Sequence, residues 1–108
     1  MSDTFTRALQ IAIDHPAFDG HFPGHPILPG VALLAEVLEA ARDEPRLAAA
    51  IGDRPRLPVA KFLAPVLPGA RLAIEFRLGA RAIDWRAVDG ERVVASGQIA
   101  RADSGPAP

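Results

Sequence analysis

His21-Phe-Pro-Gly-His-Pro-Ile-Leu-Pro-Gly30, running straight into Val31-Ala-Leu-Leu-Ala-Glu-Val-Leu-Glu-Ala40, is the stretch on which the fold turns. Between Asp14 and Gly30 stand four prolines and three glycines, which exclude regular structure and give the connection a fixed path. Loops of that length inside a small domain usually carry function. Pro29-Gly30 then opens a helix expected over Val31 to Asp43, because a proline near a helix start removes an N–H that has no intrahelical partner anyway. Val31, Leu34, Ala35, Leu38 and Ala41, with Leu33, Val37 and Ala40 beside them, leave only a narrow polar stripe at Glu36, Glu39 and Asp43. Such a helix is wrapped on most sides, and the periodicity assigns Ala35 to the buried arc.

Outward from this stretch the chain reads as strands. Phe5 to Ile13 alternates, with Phe5, Leu9, Ile11 and Ile13 on one side and Arg7 as the single break. After a connection over residues 44 to 56, with a helical turn at Leu47 to Ile51, come strands at Leu57 to Val66, Arg71 to Leu78, Arg81 to Val88 and Arg92 to Arg101. Asp89-Gly90 joins the last two. Trp85 alternates inward with Ile83 and Ala87, as a core residue does. One strand, a loop, one nearly apolar helix and then hairpin-joined strands predict an α+β domain over residues 1–101, an antiparallel sheet curling around the helix, with 102–108 a disordered tail. A curled sheet leaves two open edges, and the expected remedy is a homodimer.

Composition narrows the function. With 108 residues, 49% hydrophobic and 23% charged, the chain is long enough for one core and too short for separate cofactor and substrate domains. A net charge of −1 with scattered Lys and Arg supplies no basic stripe for nucleic acid. No cysteine is present, so disulfides, thiolate metal sites and a Cys nucleophile are excluded. No leader and no apolar run of about 20 residues is seen, so a cytoplasmic protein with no membrane partner is expected.

Asp14-His-Pro-Ala-Phe-Asp-Gly-His-Phe-Pro-Gly-His-Pro-Ile-Leu-Pro-Gly-Val31 closely resembles the active-site loop of the hotdog-fold 3-hydroxyacyl-acyl-carrier-protein dehydratases, the FabA/FabZ-like group. Ala60-Lys-Phe-Leu-Ala-Pro-Val-Leu-Pro-Gly69 is similar to the strand that follows in that family. The resemblance implies a long helix wrapped by an antiparallel sheet, a dimer with active sites at its interface, and a substrate carried on the phosphopantetheine of acyl carrier protein or on CoA, with no metal or organic cofactor. It implies that His21 is the base removing the α-proton of a 3-hydroxyacyl thioester, so that water leaves and a trans-2-enoyl thioester forms, in fatty-acid or polyketide and pigment synthesis. The chemistry is consistent with the residues. An α-proton is acid enough only if negative charge on the thioester oxygen is stabilised, and the N–H groups of Gly30 and Val31 behind Pro29 stand where a helix start offers such donors. Phe22, Leu28 and Ala35 are the expected substrate-pocket residues.

One position departs from the family. The dehydratases carry Asp or Glu fourteen residues after the histidine, and here that position is Ala35. Glu36 follows one residue later, a rotation of about 100° on a helix. Three readings follow: a slow dehydratase using His21 and water, one drawing a carboxylate from Asp19 or Glu36, or a non-catalytic acyl-binding subunit that pairs with an active hotdog partner. A hotdog thioesterase is a further alternative, weakened by the same alanine. Elsewhere the blander readings prevail. His21 and His25 are not a metal pair, because Pro23 and Pro26 exclude the helix that would align them. His15 is expected to satisfy a nearby carbonyl, and Pro23, Pro26 and Pro29 are not an exposed polyproline ligand, because Phe22, Ile27 and Leu28 belong to a buried segment.

Overall fold

The computed structural model describes residues 3–19, 24 and 26–102. Five strands form one antiparallel sheet in the order β1-β3-β4-β5-β2, with β1 at Thr4–Gln10, β2 at Val59–Phe62, β3 at Arg71–Leu78, β4 at Ala82–Asp89 and β5 at Arg92–Ala100. Two helices, α1 at Gly30–Arg42 and α2 at Pro45–Ile51, stand between β1 and β2 in the chain. Among the described residues no helix is long and apolar enough to cross a membrane.

Alternation along β3 and β4 decides the two faces of the sheet. Leu72, Ile74 and Phe76 on β3 and Ile83, Trp85 and Ala87 on β4 are buried, while the residues between them are not. The register lines up Phe5, Phe76, Trp85, Gly97 and Ala60 as one apolar row across all five strands. The next row, Thr6, Glu75, Arg86, Ser96 and Lys61, belongs to the opposite face. Against the apolar face α1 sets Leu33, Val37 and Ala41, all buried and spaced four apart so that they fall on one side. Each large side chain so covered contributes roughly 1.5 to 3 kcal/mol. Helix α2 adds Leu47, Ala50 and Ile51, its start fixed by Pro45 and by the Glu44 carboxylate accepting from Arg46 N–H at 3.3 Å.

Several element boundaries differ from the sequence expectation, and hydrogen bonds account for the two largest differences, at β1 and β2. β1 stops at Gln10, because the chain turns where His15 N–H donates to Ala12 C=O, carrying Ile13 out to 78% exposure while Ile11 stays buried. β2 is four residues long: beyond Phe62 both Leu63 and Ala64 donate to Val94 C=O, at the register shift between β4 and β5. Helix α1 begins at Gly30 and ends at Arg42. Of the expected tail, residues 103–108 lie outside the described residues.

Candidate functional site at the start of the central helix

The long connection before α1 is tied at both ends to one segment. Ile11 N–H donates to Ala70 C=O and Gly69 N–H returns to Ile11 C=O, both at 2.8 Å, and Leu28 N–H donates to Val66 C=O at 2.8 Å. Leu28 is thereby drawn into the core. Pro29, with extended ψ of 145°, then acts as N-cap, and its carbonyl accepts from Ala32 and Leu33 N–H at 3.0 and 3.1 Å. The N–H groups of Gly30 and Val31 are left without an acceptor among the described residues. They project at the positive end of the helix dipole, where a developing negative charge is stabilised. The Phe62 ring lies directly over Gly30, so close that a Cβ there would stand 2.7 Å from it. Sequence reasoning singled out Gly30 but not this ring, because the two residues are 32 positions apart and meet only in the folded chain.

Position 35 requires a correction. Ala35 is exposed, on the flank that also carries Val31 at 76% exposure, and not in a buried arc. The apolar arc read from the sequence is wider than the face this chain covers with its own sheet. Glu36 lies about 100° round the helix on the β1 side, beside Arg7, Glu39 and Asp43 in a shallow cavity of about 290 Å³. It is half-buried and its Oε1 is 2.9 Å from His15 Nε2. His15 therefore bonds a carboxylate and, through Nδ1, accepts from Ala17 N–H at 3.0 Å, in place of the expected carbonyl. Asp19 is exposed and closes the single 3-10 turn of Pro16–Phe18, its N–H donating to Pro16 C=O at 3.1 Å. His21, Phe22, Pro23 and His25 lie outside the described residues. No group of three metal-ligating side chains gathers among the described residues.

A groove of about 720 Å³ is elsewhere: it lies on the sheet face turned away from α1, lined by Glu75, Arg77, Asp84, Arg86 and Gln98 among others. Arg86 pairs with Glu75 across strands and Gln98 with Asp84, so four of its polar side chains bond one another, and the face lies across the sheet from α1.

Around the start of α1, by contrast, Ile13, Val31, Phe62, Leu63 and Leu67 remain exposed on adjoining segments. Isolated apolar side chains on a surface are ordinary, but several together mark a binding surface. An antiparallel sheet wrapped on one central helix, with a proline-glycine helix start beneath an aromatic ring, defines a hotdog-fold protein. Within that fold the chain belongs to the ApeI-like family, described as ApeI dehydratase, whose model matches residues 1–98. Among solved structures it is similar to the dehydratase heterocomplex ApeI:P from Xenorhabdus doucetiae, at 24% identity, TM-score 0.74, covering 93% of this chain and 88% of that one. It is also similar to an uncharacterized protein from Erwinia carotovora subsp. atroseptica, at 29% identity, TM-score 0.69, covering 93% and 85%. The 3-hydroxyacyl-[acyl-carrier-protein] dehydratase FabZ of Thermus thermophilus is 43% identical over 37 residues, 34% of this chain and 26% of that protein. The match thus spans about a quarter of that relative's length.

Proposed function

We propose that the chain is a 3-hydroxyacyl-thioester dehydratase, working on an acyl group carried by acyl carrier protein or CoA and needing no metal or organic cofactor. His21 takes the α-proton, and the thioester oxygen takes up charge beside the N–H groups of Gly30 and Val31. The electron pair of the broken C–H bond becomes the α,β double bond as the β-hydroxyl leaves as water. The proton for that hydroxyl travels through water, since position 35 supplies no acid. The observation that carries the reading is a pair of N–H groups, without an acceptor among the described residues, at a helix start that follows the dehydratase-like loop directly. A second copy of the chain covers the exposed apolar surface around Val31 and Phe62, and the protein works in the cytoplasm.

A second reading, a binding subunit without turnover, is favoured by Ala35 on the open flank and by the heterocomplex character of the Xenorhabdus neighbour. Here an active hotdog partner supplies the carboxylate. The two are separated by offering short and medium 3-hydroxyacyl thioesters while following enoyl absorbance and free thiol independently. Enoyl formation that disappears in His21→Ala is the expected result. Thiol release in its place would make the protein a thioesterase, and acyl-carrier binding with neither product would leave the binding subunit.

A further inference from the structure

Glu36 is, with Asp19, a carboxylate that sequence alone offers as a substitute acid, yet its surroundings give it other work. We propose that Glu36 is a positioning residue that holds His15, and through it the segment leading to His21, against α1. The inference rests on the dehydratase reading only for its effect on turnover.

Both ring nitrogens of His15 are engaged. Nδ1 accepts from Ala17 N–H at 3.0 Å, so the neutral ring carries its proton on Nε2, which donates to Glu36 Oε1 at 2.9 Å. The carboxylate thereby selects one tautomer, and the ring keeps no free lone pair for proton abstraction. At 20% and 26% side-chain exposure, the pair is better shielded from competing water than a surface contact. Among the described residues the nearby cation is engaged elsewhere: Arg7, in the same shallow cavity, lies 3.0 Å from Glu44 and 3.7 Å from Asp43.

On the helix side the anchor is stiff, because Glu36 adjoins buried Val37 and stands one turn from buried Leu33. On the loop side the imidazole caps the turn of Pro16–Phe18 and meets the Phe18 ring edge-on at 6.1 Å. Asp19 closes that turn, and His21 is two residues further on. The backbone ties to Val66–Ala70 hold only the two ends of the connection, at Ile11 and Leu28. The His15–Glu36 bond ties the described turn between them, His15 to Asp19, to α1.

Glu36→Gln is the deciding variant, because its amide oxygen still accepts from His15 Nε2–H while its carboxylate is gone. Glu36→Ala, His15→Ala and the double variant complete the set, with hydrogen exchange over residues 14–29 and enoyl formation as separate readouts. Glu36→Gln should keep the parent's exchange protection and stay within about threefold of its kcat. Glu36→Ala and His15→Ala should exchange faster and lose about tenfold to a hundredfold in kcat with KM little changed. The double variant should be no worse than either single one. A Glu36→Gln loss of about 10² to 10⁴, with protection intact, would make Glu36 the acid and overturn the proposal. Unchanged exchange in Glu36→Ala and His15→Ala would overturn it as well, whatever the activity. If the parent makes no enoyl product the dehydratase reading falls, and the exchange data still decide the role of the pair.

Discussion

Gly97 and Gly30 both stand where a Cβ has no room, but the neighbour that excludes it differs. At Gly97 a Cβ would lie 2.3 Å from Val59 C=O and 2.9 Å from the Trp85 indole. Backbone on the adjacent strand cannot move aside without breaking the β2–β5 ladder, and Trp85 is fully buried in the apolar row. Gly97→Ala should therefore lower the unfolding free energy by about 2 to 3 kcal/mol. For a domain of this size that is a fall of about 10 °C or more in Tm, read by thermal denaturation. At Gly30 the obstacle is the Phe62 ring, the end of a side chain that is 51% exposed in the single chain and, unlike backbone, can turn aside there. Gly30→Ala should cost less than about 1 kcal/mol in the same measurement. Equal costs for the two variants would show that Phe62 is as immobile as the β2 backbone.

The elements divide by how much of their environment lies in their own sequence. β3 and β4 were legible because strict alternation meets one buried face and one wet one, and β5 because Asp89-Gly90 supplies positive φ at Gly90, 63°, for the hairpin that leads into it. The end of β1 and the extent of β2 were not: the first rests on a local turn, His15 N–H to Ala12 C=O, that alternation does not register, and the second on the distant Val94 carbonyl. Helix α1 was legible as a helix and misread as an arc. Leu33, Val37 and Ala41 meet the sheet, whereas Val31 and Ala35 carry the same apolar signal and are exposed. Hydrophobic periodicity reports that a face avoids water, not which surface covers it. The two faces of α1 should respond differently to truncation in urea unfolding. Leu33→Ala should lose about 2 to 5 kcal/mol, whereas Val31→Ala should change the unfolding of the single chain by no more than about 0.5 kcal/mol. A large loss at Val31 under dissociating conditions would mean that this chain covers it after all.

For the molecule as a whole, the open question is what lies against that exposed flank, and the two sheet edges are unequal candidates. On β1 the exposed positions are Thr4, Thr6, Ala8 and Gln10, with no large apolar side chain among them. Beside β2 stand Val59, Phe62, Leu63 and Leu67, with 60% of Leu63 exposed. An open apolar edge invites strand or face pairing, so a second copy should add at β2 and not at β1. Light scattering at micromolar concentration should give a dimer for the parent and for Thr6→Lys, and a monomer for Leu63→Lys. The same contact bears on chemistry, because Ala35 shares the flank with Val31 and a carboxylate introduced there would face the neighbouring chain. Ala35→Asp should raise enoyl formation at least about tenfold, within the range general acids supply. If the site is completed between chains, that gain should vanish when Leu63→Lys is added, although the fold persists by circular dichroism. A gain retained in the monomeric double variant would place the whole reaction within one chain. No gain in a folded, dimeric Ala35→Asp protein would mean that a missing acid at position 35 does not limit this site.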